Sequence, residues 1–123
     1  MRTIIFDIDG TLTNMWPIEK SVLLSMTDNK LNKNMEKMKA AGISDPHQIY
    51  RKLSRRRVVK KSFITLYDKA FSGLLKKGAL PAPEKYPLVG WIHANRQRYR
   101  FVYATGGQRP ETRYVLESLG KIF

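Results

Sequence analysis

Residues 2–13, Arg-Thr-Ile-Ile-Phe-Asp-Ile-Asp-Gly-Thr-Leu-Thr, restrict the fold of this chain more tightly than any other stretch. Ile4, Ile5 and Phe6 form a short, continuous apolar run, which reads as a strand of an α/β sheet buried on both faces. The run stops abruptly at Asp7 and Asp9, followed by Gly10 and Thr11. Ligands of open α/β sheets collect just beyond the carboxyl ends of such strands. Side chains alternate along a strand, so Asp7 and Asp9 start on one side and Ile8 on the other. Two carboxylates this close repel, and a cation between them relieves the repulsion. Gly10 lets the backbone turn sharply and approach a ligand. The competing local reading is a strand that closes in a polar, Asx-type turn.

Asp7-Ile8-Asp9-Gly10-Thr11-Leu12-Thr13 resembles the first motif of the haloacid dehalogenase-like (HAD) superfamily, Asp-x-Asp-Gly-Thr-Leu/Val-Thr. The resemblance implies that Asp7 is a nucleophile that becomes an aspartyl-phosphate and that Asp9 is a general acid/base. It also implies a Mg²⁺ ion held by the Asp7 carboxylate and the backbone carbonyl of Asp9. Gly10 and Thr11 join the implied substrate-binding set. In that family a short turn and flap follow the motif and lead into a cap domain. Asn14 stands where some subfamilies carry an Asp. Trp16 is expected to pack at the joint between core and cap, with lining a substrate pocket as the alternative.

Residues 18–79 read as a small helical insert. Leu31, Met35 and Met38 keep helical spacing up to Gly42. Asp45-Pro46 is an N-cap followed by proline at the first helical position, which starts a helix through about Leu53. A longer helix is expected from Ser62, with Phe63, Leu66, Tyr67, Ala70, Phe71, Leu74 and Leu75 as its apolar stripe and Gly78 at its end. The proline-rich Leu80-Pro81-Ala82-Pro83 marks the return to the core. Pro87 opens a helix with Leu88, Trp91 and Ile92 on one side. Arg98–Ala104 then reads as a second strand, ending in Thr105-Gly106-Gly107. That ending resembles the second HAD motif, which implies that the Thr105 hydroxyl and nearby backbone N–H groups, with Gly106, bind phosphoryl oxygens. Pro110 to about Leu119 is the last helix, burying Val115, Leu116 and Leu119, and Lys121-Ile122-Phe123 opens a third strand. His47 and His93 lie outside both motifs and read as surface or helix-packing residues.

The formal net charge is +13, a surface that attracts polyanions such as nucleic acids and phosphorylated metabolites. Its densest part is Arg51-Lys52-Leu53-Ser54-Arg55-Arg56-Arg57-Val58-Val59-Lys60-Lys61. Arg51 with Arg55, and Lys52 with Arg56, fall on a shared helix face at i,i+4 spacing, where like charges repel. The run has little aromatic interleaving, with only Tyr50 nearby. It reads either as a solvated basic face or as a grip on phosphates of a nucleic acid or another polyanion through Arg51, Arg55, Arg56, Arg57, Lys60 and Lys61. The chain has no Cys, so it lacks a disulfide framework and thiolate metal sites. It shows no apolar run of membrane-span length and no signal-peptide order, and a cytoplasmic location is expected.

The expected architecture is α/β: an incomplete parallel, Rossmann-like HAD core (1–17 and 80–123) with a helical cap (18–79) between the two motifs. The family's third motif supplies a Lys or Arg and its fourth supplies further carboxylates. Neither can be placed, because the sequence continues for only 18 residues past Thr105. Arg109 qualifies as a substitute on charge alone. One of three states is therefore expected: a fragment, which is the most economical, a chain completed by another subunit, or a degenerate protein. The implied function is Mg²⁺-dependent hydrolysis of a phosphate monoester of a small molecule. The rival is a non-catalytic HAD remnant whose basic insert binds nucleic acid or another polyanion.

Overall fold

Arg2–Phe6, rich in β-branched and aromatic side chains, is strand β1 of the computed structural model, which describes residues 1–106 and 109–120. The chain continues through a two-residue strand β2 (Thr13–Asn14) and helix α1 (Trp16–Met26). A 3₁₀ turn at Asn29–Leu31 leads into helices α2 (Asn32–Ala40), α3 (Pro46–Ser54) and α4 (Lys60–Lys76). A second two-residue strand, β3 (Glu84–Lys85), precedes α5 (Leu88–Asn95), β4 (Tyr99–Tyr103) and α6 (Arg109–Leu119). The molecule is mixed α/β, with six α-helices among the described residues. Gly107 and the strand expected at 121–123 lie outside the described residues.

The chain divides into two compact units, one made of residues 1–17 and 82–123 and the other of residues 18–81. In the first, split unit, β1 pairs in parallel with β4, in register from Arg2 opposite Tyr99 to Phe6 opposite Tyr103. Parallel neighbours need a crossover connection, and here the crossover contains the whole second unit together with α5. β2 and β3 form a separate antiparallel pair, Thr13 opposite Lys85 and Asn14 opposite Glu84. Ile8, Leu12, Val89, Ile92, Phe101, Val115 and Leu119 are buried. Phe101 anchors the aromatic side chains of the sheet, its ring 5.8 Å from Phe6 and 6.0 Å, edge-on, from Trp91.

Several expectations are corrected here. β1 is not covered on both faces: Ile5 is 66% exposed, and Ile4 and Phe6 are half-buried. Among the described residues β1 has β4 as its one ladder partner, so a two-stranded sheet cannot enclose it. α5 buries Val89 and Ile92, while Trp91 is turned outward and stacks on Tyr99 at 6.0 Å. Leu116 is half-buried beside fully buried Val115 and Leu119 on α6. His93 acts in packing: its Nε2 lies 3.0 Å from the carbonyl of Leu119.

The inserted unit follows from its caps and its aromatic spacing. Asp45 accepts a 3.2 Å bond from the His47 backbone N–H, which opens α3 with Pro46 at its first position. α4 starts at Lys60, two residues ahead of Ser62, because the Val59 carbonyl already accepts from the Phe63 N–H at 2.9 Å. Phe63, Tyr67 and Phe71 recur every four residues and are buried, whereas Leu66 and Leu75 are more than 40% exposed. Phe63 is the centre of an aromatic cluster, 5.0 Å from His47, 5.6 Å from Tyr50 and 5.7 Å from Tyr67. No helix of the described residues is long and apolar enough to cross a membrane.

This division of burial is testable by urea unfolding. Ile92→Ala, at a fully buried site, is expected to lose about 2–5 kcal/mol. Ile5→Thr, at an exposed strand position, is expected to change stability by less than about 0.5 kcal/mol. A large loss at Ile5 would mean that this face of β1 is covered in solution.

Candidate functional site

The site is built where β1 stops. Ile8 and Leu12 are both fully buried, four residues apart, and fix a single helical turn against the core. The Ile8 carbonyl is the hub of that turn, accepting from the N–H groups of Thr11 (3.1 Å), Leu12 (2.8 Å) and Thr13 (3.3 Å). Gly10 sits inside it with φ +78°, and its N–H donates to the Thr13 carbonyl at 2.8 Å. A side chain at that φ is strained, so glycine is needed here for the backbone itself. With Ile8 directed into the core, Asp7 is exposed and Asp9 half-buried.

The turn is held in place by the short antiparallel β2–β3 pair. The Leu12 carbonyl accepts from the Tyr86 N–H at 2.9 Å. Asn14 Nδ2 donates to Glu84 at 3.3 Å across the β2–β3 pair, and Asn14 Oδ1 accepts from the Trp16 N–H at 3.2 Å where α1 begins. Asn14 is thus a brace at the helix entry. Asn two residues before Trp16-Pro17 is a readable Asx signal, although the pairing with Glu84 is too distant in sequence to foresee.

β4 brings the second element. The Ala104 N–H donates to the Phe6 carbonyl at 2.9 Å, extending the ladder one residue past the strands. Asp7 and Ala104 therefore leave the sheet side by side at its carboxyl end, and Thr105, half-buried, follows at once. Gly106 has ordinary backbone and open space around an added Cβ, so none of the described residues requires glycine there. The Arg109 side chain lies outside the described residues.

Electrostatics single out Asp9. Burial, and secondly the negative charge of Asp7, raise its carboxyl above the ordinary carboxylate value. Among the described residues neither acid is in an ion pair and no group of three or more metal-ligating side chains occurs. Two carboxylates suit Mg²⁺, which keeps much of its water and takes one or two carboxylates plus substrate phosphate oxygens. The donor chemistry of Asp7 and Asp9 fits that ion. The Asp68 carboxyl of α4 is raised as well, by burial alone, and among the described residues its Oδ1 has no hydrogen-bond partner.

The basic run forms a second feature, inside the inserted unit. Gln48, Arg51, Lys52, Arg55, Arg56 and Arg57 line an open depression of about 340 Å³. They do not converge by sharing a helix face, since α3 ends at Ser54 and Arg55 adopts φ 56° in the left-handed region. Lys60 and Lys61 follow in the first turn of α4 and are not among the lining residues. Tyr50 is 3% exposed and packs on Phe63, so it has no face free for stacking.

No family model matches the chain, and neither a curated protein nor a solved structure matches it.

The raised Asp9 carboxyl has a measurable consequence. Its ionisation is disfavoured in the fold, so the wild-type chain loses stability as pH rises through the raised pKa. Asp9→Asn is expected to raise Tm at pH 7, with the advantage over wild type fading as pH falls through that pKa. The comparison between the two chains cancels the parallel contribution of Asp68. A lower Tm for Asp9→Asn at pH 7 would contradict this electrostatic picture.

Proposed function

We propose that this chain carries the nucleophilic half of a HAD-like, Mg²⁺-dependent phosphatase that hydrolyses a phosphate monoester through an aspartyl-phosphate. The observation that supports this most directly is the convergence at one end of the parallel pair. Asp7 and Asp9 leave β1 where Ala104 and Thr105 leave β4, joined by the 2.9 Å bond from Ala104 to Phe6. The turn after Asp9, the antiparallel β2–β3 pair and the placement of residues 18–81 between the two motifs support it further. The motif resemblance supplies the roles.

In this reading the exposed Asp7 carboxylate attacks phosphorus in line, and the bond from phosphorus to the ester oxygen breaks. Asp9 donates a proton to that leaving oxygen. Its raised pKa favours the protonated form needed for this step. Asp9, now ionised, takes a proton from water, which attacks the aspartyl-phosphate and releases inorganic phosphate with Asp7 restored. The Thr105 hydroxyl, by the motif resemblance, hydrogen-bonds a phosphoryl oxygen as charge builds on it. The Asp7 carboxylate and the Asp9 backbone carbonyl would hold Mg²⁺, which would supply positive charge beside the transferring group. The substrate is a phosphorylated small molecule.

The test is hydrolysis of p-nitrophenyl phosphate in Mg²⁺. Activity is expected to vanish in Asp7→Asn and on chelation of the metal. Asp9→Asn is expected to lose about 10²–10⁴-fold, the range of general acid–base catalysis. Turnover that survives Asp7→Asn would remove the nucleophile and the reading with it.

A further inference from the structure

The inserted unit carries fifteen Lys and Arg against five Asp and Glu, ten of the thirteen net positive charges of the chain. Seven of those cations fall between Arg51 and Lys61, with no acid among them. None of the seven is in an ion pair among the described residues, whereas Lys20 elsewhere in the unit pairs with Glu36 at 2.7 Å.

The backbone holds these charges together against their repulsion. Arg55 turns the chain in the left-handed region, φ 56°, a conformation that a non-glycine residue rarely adopts. The Ser54 hydroxyl donates to the Tyr50 carbonyl at 2.6 Å and accepts from the Arg56 N–H at 3.3 Å, which returns Arg56 and Arg57 toward Arg51 and Lys52. His47 Nε2 then fixes the far end of the loop on the Val58 carbonyl while its ring stacks on Phe63. Lys60 and Lys61 occupy the first turn of α4, a turn that contains no acidic residue. Cations there oppose the helix dipole, so their placement does not serve the helix.

We infer that this depression and the adjoining start of α4 dock the phosphate backbone of a nucleic acid, without reading its bases. A small anion would bring a few charges to one point. The seven cations instead run from the last turn of α3 through the loop to the first turn of α4, a length that suits phosphates repeated along a polymer. No aromatic ring lines the depression and Tyr50 is buried, so base stacking has no platform and the grip is independent of sequence. The inference concerns the inserted unit alone and does not depend on the catalytic reading.

The experiment is fluorescence anisotropy of the full chain with labelled 20-base-pair duplexes, two unrelated DNA sequences and one RNA, across a salt series. Equal affinity for the two DNA sequences is expected, and the RNA arm shows which backbone is preferred. Arg51→Gln/Arg56→Gln/Arg57→Gln is expected to weaken binding at least tenfold. It should flatten the slope of log affinity against log salt by about 2–3, at roughly 0.9 for each phosphate that is no longer neutralised. The control is Lys69→Gln/Lys76→Gln/Lys77→Gln, which removes the same charge; Lys76 lies about 24 Å along α4 from Lys60. A control that weakens binding as much as the arginine variant overturns the site in favour of diffuse charge. Absence of binding, or displacement of the duplex by equimolar tripolyphosphate, overturns the nucleic-acid reading.

Discussion

The pairing of β1 with β4 is the constraint on which the candidate catalytic site rests. It joins Phe6 to Tyr103 and Ala104 across a crossover that holds an entire second unit. Local sequence can form either strand, but only this register places Asp7 level with Ala104 and leaves Thr105 at the same end of the sheet. Such a non-local ladder is entropically costly to close. The burial of Phe101, Val89 and Ile92 and the aromatic contacts of Phe101 are what offset it. A slip of one residue would turn Ile4 and Phe6 to the opposite face and separate the acids from Thr105.

Charge is distributed with the two units. The split unit concentrates negative charge at the Asp7–Asp9 pair, where Asp9 is already raised by burial and by its neighbour. The inserted unit gathers most of the positive charge, in a loop whose shape is set by Arg55, Ser54 and His47. Each arrangement keeps like charges close without an opposite charge from the described residues. Both therefore gain from an added ligand of opposite sign, a cation in one case and phosphate in the other.

What the sequence made legible was local. Asp45-Pro46 announced α3 because the cap and the proline act within one turn, and the spacing of Phe63, Tyr67 and Phe71 announced α4. The break after Phe6 located Asp7 and Asp9 at a strand end, and the change of unit falls after Pro81, two residues past the boundary expected after residue 79. What escaped depended on distant partners. β2 and β3 have two residues each, too few to show a period of two. The exposure of Ile5 depends on whether another element packs on its face of the sheet, which the side chains of β1 do not encode. The outward turn of Trp91 is set by Tyr99 on the next strand. The shape of the basic depression escaped because pairing Arg51 with Arg55 and Lys52 with Arg56 carried a helical face past the expected end near Leu53, whereas α3 stops at Ser54 and Arg55 adopts the left-handed region.

Whether Asp7, Asp9 and Thr105 form one phosphoryl-transfer site is decided by titrating the purified chain with beryllium fluoride in Mg²⁺. The fluoride complex on a carboxylate mimics an aspartyl-phosphate and so engages nucleophile, metal and hydroxyl together. Saturable, Mg²⁺-dependent binding that is lost in Asp7→Asn is expected. Binding that is absent from the wild-type chain, or unchanged in Asp7→Asn, would contradict a shared site.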